Sequence, residues 1–148
     1  MSSKHSEKAS TFGSIASPTV IYCSPDDSIP QVAKLMRDKW VDTIFVKDSA
    51  NKIVGIITDG IIWDLVAREK DPREHKAHNI MYKPFISVKA EDPIFSIEEF
   101  RELIDKSKVK RVAVTKDGKI VGVVRKKFLE RFRRYSRHFN VEFTQKNI

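Results

Sequence analysis

The sequence predicts an α/β (α+β) fold made of two β-α-β-β-α repeats that are related by a pseudo-two-fold axis. Ile15–Leu65 and Ile80–Phe132 align with each other over almost their whole length. In each copy, short β-branched segments alternate with amphipathic helical ones. The 148 residues fit one compact domain, whereas two units of about 50–60 residues are each marginal alone. We therefore expect each repeat to bury its apolar face against the other.

The alignment of the two copies has a stepwise offset. It is 65 residues between Val20 and Phe85. It rises to 68 between Ser28 and Ser96, because the second copy carries three extra residues, Pro93–Phe95. In the following hairpin it falls to 67, because the second turn is one residue shorter. These offsets identify equivalent positions in the two repeats.

Polar segments divide the chain. The first residues are rich in Ser and Lys, which predicts disorder, and a second polar stretch lies between the two copies. The predicted organisation is a disordered tail at 1–13, a first repeat at 14–70, a linker at 71–78, a second repeat at 79–132 and a basic C-terminal helix or tail at 133–148.

Each repeat begins with a short strand and an amphipathic helix. The first strand is predicted at Val20–Cys23. Ser28 with Gln31, and Ser96 with Glu99, have the spacing of a capping box, in which the two side chains satisfy each other's backbone amides. The apolar residues behind these caps share one helical face: Ile29, Val32, Met36 and Trp40 in the first repeat, and Ile97, Phe100 and Ile104 in the second.

A hairpin and a second helix complete each repeat. Asp117 and Gly118 are typical of a tight two-residue turn, because both tolerate a positive φ. The predicted hairpin strands are Thr43–Lys47 and Ile53–Ile57 in the first repeat, and Lys110–Thr115 and Ile120–Val124 in the second. Apolar residues after each hairpin predict the second helix.

The composition excludes several classes of protein. The longest apolar run, Ile53–Ile57, is far shorter than the roughly 20 residues of a membrane span. The first residues lack the apolar segment of a signal peptide, and a lone Cys23 excludes an internal disulfide. We therefore expect a cytoplasmic protein with no membrane span. The net charge of +8 is concentrated between Arg125 and His138, where seven Lys and Arg side chains face one acid, Glu130.

Four ordered phrases point to a known family. They are Asp26–Ile29 ahead of the first helix, Asn79–Pro84 ahead of a strand, Val109–Val114 at the next strand and Asp117–Val124 through the hairpin. As a series that occurs twice, they make the chain resemble the cystathionine-β-synthase (CBS) domain family, in the tandem arrangement called a Bateman module, over about Ile15–Phe132.

The resemblance implies a function as well as a fold. Members of this family are regulatory, non-catalytic modules that sense adenosine-type ligands (AMP, ADP, ATP or S-adenosylmethionine) in clefts between the two repeats. Stand-alone pairs commonly form disc-like homodimers. We therefore expect a homodimeric sensor of an adenine nucleotide, with no catalytic cofactor and no metal.

The family's ribose and phosphate contacts come from a Gly-h-h-Thr/Ser-x-x-Asp stretch after the third strand. The first copy keeps the hydroxyl as Thr58 but has Ile61 at the acidic position. In the second copy Arg125 replaces the hydroxyl and Phe128 replaces the acid. Because an arginine can form two bonds to one phosphate, this change favours a phosphate-rich ligand such as ATP or a nucleic-acid backbone. The alternative is that Arg125 and Lys126 are solvated residues at a helix start.

The remaining ligand contacts are expected at the edges of the strands, where apolar residues would hold the base. Most of these apolar residues fit a core position equally well, and Asp59 or Asp64 could replace the missing ribose carboxylate from a neighbouring helical register. The predicted nucleotide-binding residues are Val20, Ile21, Thr43, Ile44, Thr58, Asp59, Phe85, Ile86, Arg111, Val112, Arg125 and Lys126.

The basic C-terminal segment has three interpretations. Phe128, Phe132, Tyr135 and Phe139 form an aromatic stripe at helical spacing, and the arginines fall mostly off it. The stripe could cover the core or a dimer seam, the helix could bind the phosphates of DNA or RNA, or it could lie on an anionic membrane surface. The second interpretation gives the alternative function, a nucleic-acid-binding dimer that uses Lys127, Arg131, Arg133, Arg134 and Arg137.

No arrangement of residues indicates an enzyme. Gly55 and Gly60 have the spacing of a phosphate-binding loop, but Ile61 stands where that motif requires lysine. The four histidines lie in the tail, the linker and the C-terminal segment, without a cluster of carboxylates or thiols. Cys23 falls in a predicted strand, where an inert packed thiol is favoured over a nucleophile. We therefore predict a non-catalytic protein.

Overall fold

The computed structural model describes residues 11–94 and 96–128. The helices are α1 (Phe12–Ile15), α2 (Ile29–Lys39), α3 (Asp59–Ala67), α4 (Ala77–Ile80) and α5 (Ile97–Asp105), with a 3-10 turn at Pro72–Glu74. The strands are β1 (Tyr22–Cys23), β2 (Thr43–Lys47), β3 (Ile53–Thr58), β4 (Ile86–Lys89), β5 (Arg111–Lys116) and β6 (Lys119–Arg125).

The six strands form two three-stranded sheets of the same topology, in the orders β1-β2-β3 and β4-β5-β6. In each sheet the central strand runs parallel to the first strand and antiparallel to the third. The register of each hairpin shifts at equivalent positions, after Val46 in the first repeat and after Val114 in the second. The predicted fold class, two β-α-β-β repeats of mixed helix and strand, is therefore confirmed.

Local signals explain most of the boundaries. The predicted capping box at Ser28 is formed, because the Gln31 amide donates to the serine hydroxyl (3.2 Å) and the Ser28 amide donates to the Gln31 side chain (2.7 Å). At Ser96 the hydroxyl accepts from the Glu99 amide at 3.0 Å, and the described hydrogen bonds do not include the reciprocal one. Asp117 and Gly118 both have a positive φ, as the predicted tight turn requires.

The placement of Trp40 on the buried face of α2 is wrong. Helix α2 ends at Lys39, and Trp40 is its C-cap in the left-handed conformation, with φ at 56°. This conformation breaks the helical periodicity, so the indole leaves the face that Ile29, Val32 and Met36 bury. The side chain is 94% exposed.

The segment ahead of each repeat packs on the other repeat. Ser17 exchanges two backbone hydrogen bonds with Val123 of β6 (2.9 and 3.0 Å), and Tyr82 does the same with Ile56 of β3 (2.9 and 3.0 Å). Ser17 and Tyr82 are equivalent positions, as are Ile56 and Val123. Each repeat therefore supplies a short extra strand to the edge of its neighbour's sheet.

The packing of each starting segment on the other repeat corrects the predicted start of both repeats. Phe12, which was assigned to the disordered tail, begins α1 and is buried against Phe100 and Ile104 of the second repeat. Ala77, which was assigned to the linker, begins α4 and is fully buried in the core of the first repeat. Both helices are only four residues long, so burial against a distant partner holds them rather than local helix propensity. Residues 1–10 lie outside the described part of the chain.

A third apolar cluster joins the two repeats. Its buried members come from both sheets: Phe45 and Ile56 from the first repeat, with Val109, Ala113 and Val123 from the second. Phe85, at the start of the second repeat, packs its ring against that of Phe45 with the centroids 5.5 Å apart. The shared cluster therefore packs the two sheets against each other.

Replacing Gly122 by alanine should weaken the protein at the exchanged segment. An added Cβ would meet the Ala16 Cβ at 2.7 Å and the Ser17 carbonyl oxygen at 2.8 Å, neither of which can move without shifting the backbone. We expect the free energy of unfolding to fall by about 2 kcal/mol in urea denaturation.

Gly60→Ala is the matched control for this substitution. Its Cβ would meet only the Thr58 hydroxyl, at 3.7 Å, so the free energy of unfolding should be unchanged or slightly higher. Equal destabilisation by the two alanines would contradict the close approach at Gly122.

Candidate functional site

Two clefts open between the repeats. The first cleft has a volume of about 510 Å³ and the second of about 490 Å³. The polar and aromatic residues of the first cleft are Asp42, Thr58, Asp59, Trp63, Asp64, Tyr82, Lys108, Lys110, Arg111, Lys126 and Lys127. Those of the second cleft are Ser17, Thr19, Arg37, Trp40, Asp42, Thr43 and Arg125.

The two clefts are built from equivalent elements of opposite repeats. The first cleft lies between the residue before β4, the start of β5 and the end of β3. The second lies between the segment before β1, the start of β2 and the end of β6. Tyr82 in the first cleft thus corresponds to Ser17 in the second, and Lys108 corresponds to Trp40.

Equivalent positions near the ends of the strands carry side chains of different charge in the two repeats. Four positions of the first repeat hold acids or hydroxyls, and the four equivalent positions of the second repeat hold cations. By the repeat offsets the pairs are Asp42 and Lys110, Thr43 and Arg111, Thr58 and Arg125, and Asp59 and Lys126. The backbone pairing agrees, since Thr43 lies opposite Thr58 and Arg111 lies opposite Arg125.

Arg111 connects the two repeats through this charged group. Its Nη2 lies 3.3 Å from Asp59 Oδ1 and 3.8 Å from Asp42 Oδ2, and its Nε donates to the Thr43 hydroxyl at 3.1 Å. Arg125 pairs with the same carboxylate of Asp42 from the side of the second cleft. Asp42 therefore lines both clefts and lies between the two arginines.

The charge of Arg111 depends on these partners. Burial lowers the pKa of its guanidinium, Asp42 and Asp59 oppose that shift, and the neighbouring Arg125 adds to it. Arginine remains protonated in proteins despite such shifts. The buried cation is thus held in place by two carboxylates of the opposite repeat.

The start of α3 supplies the remaining polar groups of the first cleft. The buried Thr58 hydroxyl caps this helix by accepting from the Ile61 amide at 3.3 Å. Asp59 accepts from the Gly60 amide at 2.8 Å as well as from Arg111. Asp64 also lines the cleft, and its carboxylate pairs with Arg68 on the same helix at 2.9 Å.

The structure brings together half of the predicted nucleotide-binding residues. Thr58, Asp59, Arg111 and Lys126 line the first cleft, and Thr43 and Arg125 line the second. The apolar half lines neither of these two clefts and instead packs in the apolar clusters, where consecutive residues such as Val20 and Ile21 join different clusters. These residues are Val20, Ile21, Ile44, Phe85, Ile86 and Val112.

Several residues of the clefts escaped prediction. Tyr82 and Trp63 give the first cleft two aromatic side chains, which are 39% and 65% exposed. Lys108, Lys110 and Asp42 also line the first cleft but are not among the predicted nucleotide-binding residues. The detectable signal was the alternation of Lys108, Lys110 and Arg111, since the equivalent stretch of the first repeat lacks that charge.

A family model described as CBS domain matches residues 12–62 and 77–127. The chain belongs to the CBS domain family. The matched ranges begin at helices α1 and α4, which each pack on the opposite repeat. Each CBS unit therefore includes the segment that contacts the other unit. CBS domain pairs are regulatory ligand-binding modules and are in general non-catalytic.

The chain is similar to two uncharacterized proteins. One, from Methanopyrus kandleri, is 28% identical over 116 residues, which is 77% of this chain and 58% of that protein. This chain therefore spans little more than half of the length of that relative. The other, YlbB of Bacillus subtilis, is 35% identical over 107 residues, covering 70% of this chain and 68% of YlbB.

Solved structures share the CBS-pair fold. An uncharacterized conserved protein from Pyrococcus horikoshii has a TM-score of 0.71 at 21% identity, over 85% of this chain and 93% of that one. The CBS domain pair of protein MJ0100, solved with 5′-methylthioadenosine and S-adenosyl-L-methionine, has a TM-score of 0.68 at 23% identity, over 84% and 96% of the two chains.

Residues 11–94 and 96–128 contain neither a cluster of metal ligands nor a membrane-spanning helix. No group of three or more His, Cys, Asp and Glu side chains there could hold a metal ion. No helix in that part is long and apolar enough to cross a membrane. The arginines of the predicted nucleic-acid surface, Arg131, Arg133, Arg134 and Arg137, lie outside it, and Lys127 is an exposed residue of the first cleft.

Cys23 should resist alkylation in the folded protein. Burial, with a smaller contribution from Asp27, raises the pKa of its thiol to about 12, so the reactive thiolate is scarce near neutral pH. Iodoacetamide should leave the native protein unlabelled by mass spectrometry and should add one group per chain after unfolding in guanidinium chloride. Rapid labelling of the native protein would contradict the buried placement.

Removing the carboxylate of Asp42 should destabilise the contact between the repeats. Asp42→Asn leaves Arg111 and Arg125 close together with one acid fewer, and the group is only partly exposed to water. We expect the free energy of unfolding to fall by about 1–2 kcal/mol in urea, between the values for surface and buried pairs.

Asp38→Asn provides the control for this prediction. It removes an exposed pair with Arg37, so the expected loss is under about 0.5 kcal/mol. If Asp42→Asn had no larger effect than Asp38→Asn, the charged group would not stabilise the interface.

Proposed function

We propose that the protein is a non-catalytic regulatory module that senses an adenine nucleotide carrying more than one phosphate, and that the ligand binds in the first cleft. The supporting observation is the composition of that cleft. It gathers five cationic and two aromatic side chains, from both repeats, around about 510 Å³.

The cations fit a polyphosphate better than a single phosphate. Lys108 and Lys127 are exposed at the cleft, while Lys110, Arg111 and Lys126 are partly buried. Lys110 and Lys126 are oriented by Asp105, through its backbone carbonyl (3.0 Å) and its carboxylate (2.8 Å) respectively. Because the cleft carries five cations against three carboxylates, a ligand with several negative charges gains most from entering it.

The aromatic residues fit the base. Tyr82 and Trp63 lie on the repeat-2 and repeat-1 sides of the cleft and expose ring surface on which a planar purine can stack. Asp64 is a carboxylate in the cleft that can accept from ribose hydroxyls, one helical turn from the Ile61 position where the family places its acid. The complex of the MJ0100 pair with 5′-methylthioadenosine and S-adenosyl-L-methionine supports this choice of base.

The second cleft suits a ligand with less negative charge. Its charged residues are Arg37, Asp42 and Arg125, and Trp40 provides a large exposed aromatic surface. We assign AMP or S-adenosylmethionine to this cleft rather than ATP, because fewer cations are available for phosphate.

The homodimer, the cytoplasmic location and the nucleic-acid alternative also stay predictions. Exposed apolar residues of α3, among them Trp63 and Val66, are compatible with the predicted homodimer. The cytoplasmic location and the nucleic-acid alternative rest on the sequence alone, and the four arginines on which the second depends lie outside the described residues.

A thermal-shift and calorimetry panel of AMP, ADP, ATP and S-adenosylmethionine tests the proposal. ATP should bind most tightly and, at 100 times its Kd, stabilise the folded state by roughly 2–3 kcal/mol. Lys127→Gln and Lys108→Gln should each weaken ATP binding several-fold, because each removes a cation from the cleft.

Lys119→Gln is the matched control, since it removes the same charge from an exposed hairpin strand. It should leave the Kd for ATP unchanged. The proposal fails if none of the four ligands raises the melting temperature, or if the three lysine variants behave alike.

A further inference from the structure

The guanidinium that faces the first cleft has no spare donor nitrogen. Nε of Arg111 donates to Thr43, and Nη1 is directed at the backbone carbonyls of Val109 and Lys110 (3.2 and 3.4 Å). Nη2 is taken by Asp59 at 3.3 Å and approached by Asp42 at 3.8 Å. Four of the five N–H donors are thus hydrogen-bonded, and the fifth, the second N–H of Nη2, has only the 3.8 Å contact with Asp42, so an incoming phosphate competes with the two carboxylates for Nη2.

The carboxylates are the partners that a phosphate can replace. The contacts from Nε and Nη1 hold the side chain against the protein, which leaves it only 13% exposed. Asp59 and Asp42, in contrast, are anions that line the cleft itself, and they lie 3.3 and 3.8 Å from Nη2. Carboxylate and phosphate oxygens are the same kind of acceptor for a guanidinium, so they compete for the same nitrogen.

Asp59 is one of the positions at which the two repeats carry opposite charges. Asp59 is the first residue of α3 and is equivalent to Lys126, so the first repeat presents an anion where the second presents a cation. The anion of one repeat consequently reaches the cations of the other. Asp42, equivalent to Lys110, extends the contact to Arg125 of the second cleft.

We propose that Asp59, assisted by Asp42, is a built-in competitor that occupies Arg111 in the ligand-free protein and is displaced when a phosphate binds. The inference rests on the proposed nucleotide function of the first cleft. Displacement removes a charged link between the repeats and leaves the Asp42 carboxylate to Arg125 alone. Binding in the first cleft thereby alters both the interface and the second cleft.

Asp64 serves as a control that distinguishes competition for Arg111 from the general repulsion of an anionic ligand by the acids of the cleft. It lines the same cleft and carries the same charge, but its carboxylate pairs with Arg68 of its own helix rather than with Arg111. Removing either acid relieves the repulsion of an anionic ligand. Only the loss of the Asp59 charge weakens an acceptor that holds Nη2 of Arg111.

The test compares the Kd for ATP of the full chain with those of Asp59→Asn and Asp64→Asn, by calorimetry in about 0.15 M salt. Asp59→Asn should tighten binding about five-fold or more, and Asp64→Asn by less than about two-fold. Asparagine keeps an oxygen that can accept from the Gly60 amide, and the Thr58 cap of α3 is unchanged, so the helix should remain folded, which a thermal melt checks. Asp42→Asn, as a second variant, should also tighten binding more than Asp64→Asn.

Each outcome separates this inference from the proposed function. ATP binding that is equal in the wild type and Asp59→Asn, or tightened equally by Asp59→Asn and Asp64→Asn, overturns the competitor and leaves the nucleotide function standing. If ATP binds to Asp59→Asn but not to the wild type, the result supports Asp59 as a competitor of phosphate and shows that ATP is not a ligand of the wild-type protein. Absence of binding in the wild type and in all variants overturns both.

Discussion

Neither repeat of this protein can complete its own sheet. The edge strand of the first repeat pairs with Tyr82 from the segment ahead of the second, and the edge strand of the second pairs with Ser17 in return. An unpaired edge exposes backbone donors and acceptors, and a unit of this size buries little apolar surface alone. The reciprocal exchange resolves both problems, and it places the clefts between the repeats, where each is lined by residues of both.

The framework is symmetric, but the charges on it are not. Equivalent backbone positions present Asp42 and Asp59 in the first repeat and Lys110 and Lys126 in the second. Acids of the first repeat therefore pair with arginines of the second. The same difference makes the two clefts chemically different, since five cations line the first cleft and two line the second.

Much of the fold followed from local patterns. Strand β2 occupies the range Thr43–Lys47 that was predicted, and the Ser28 cap and the tight turn at Gly118 formed as expected. Two errors in the boundaries of the repeats have a common cause. Phe12 lies in a polar stretch and Ala77 in a polar linker, yet both are buried by the other repeat, and no neighbour in sequence signals that burial.

Periodicity along the chain was enough to predict the duplicated unit and its β-α-β-β elements, and the order of short motifs was enough to indicate the CBS family. Which side chains meet across the repeats became visible only in the folded protein. There Ile44 and Val112 lie in the cores, and Arg111 pairs with Asp59 and Asp42. Such contacts depend on how the two sheets pack against each other, and that geometry arises from burial over the whole domain rather than from any local pattern.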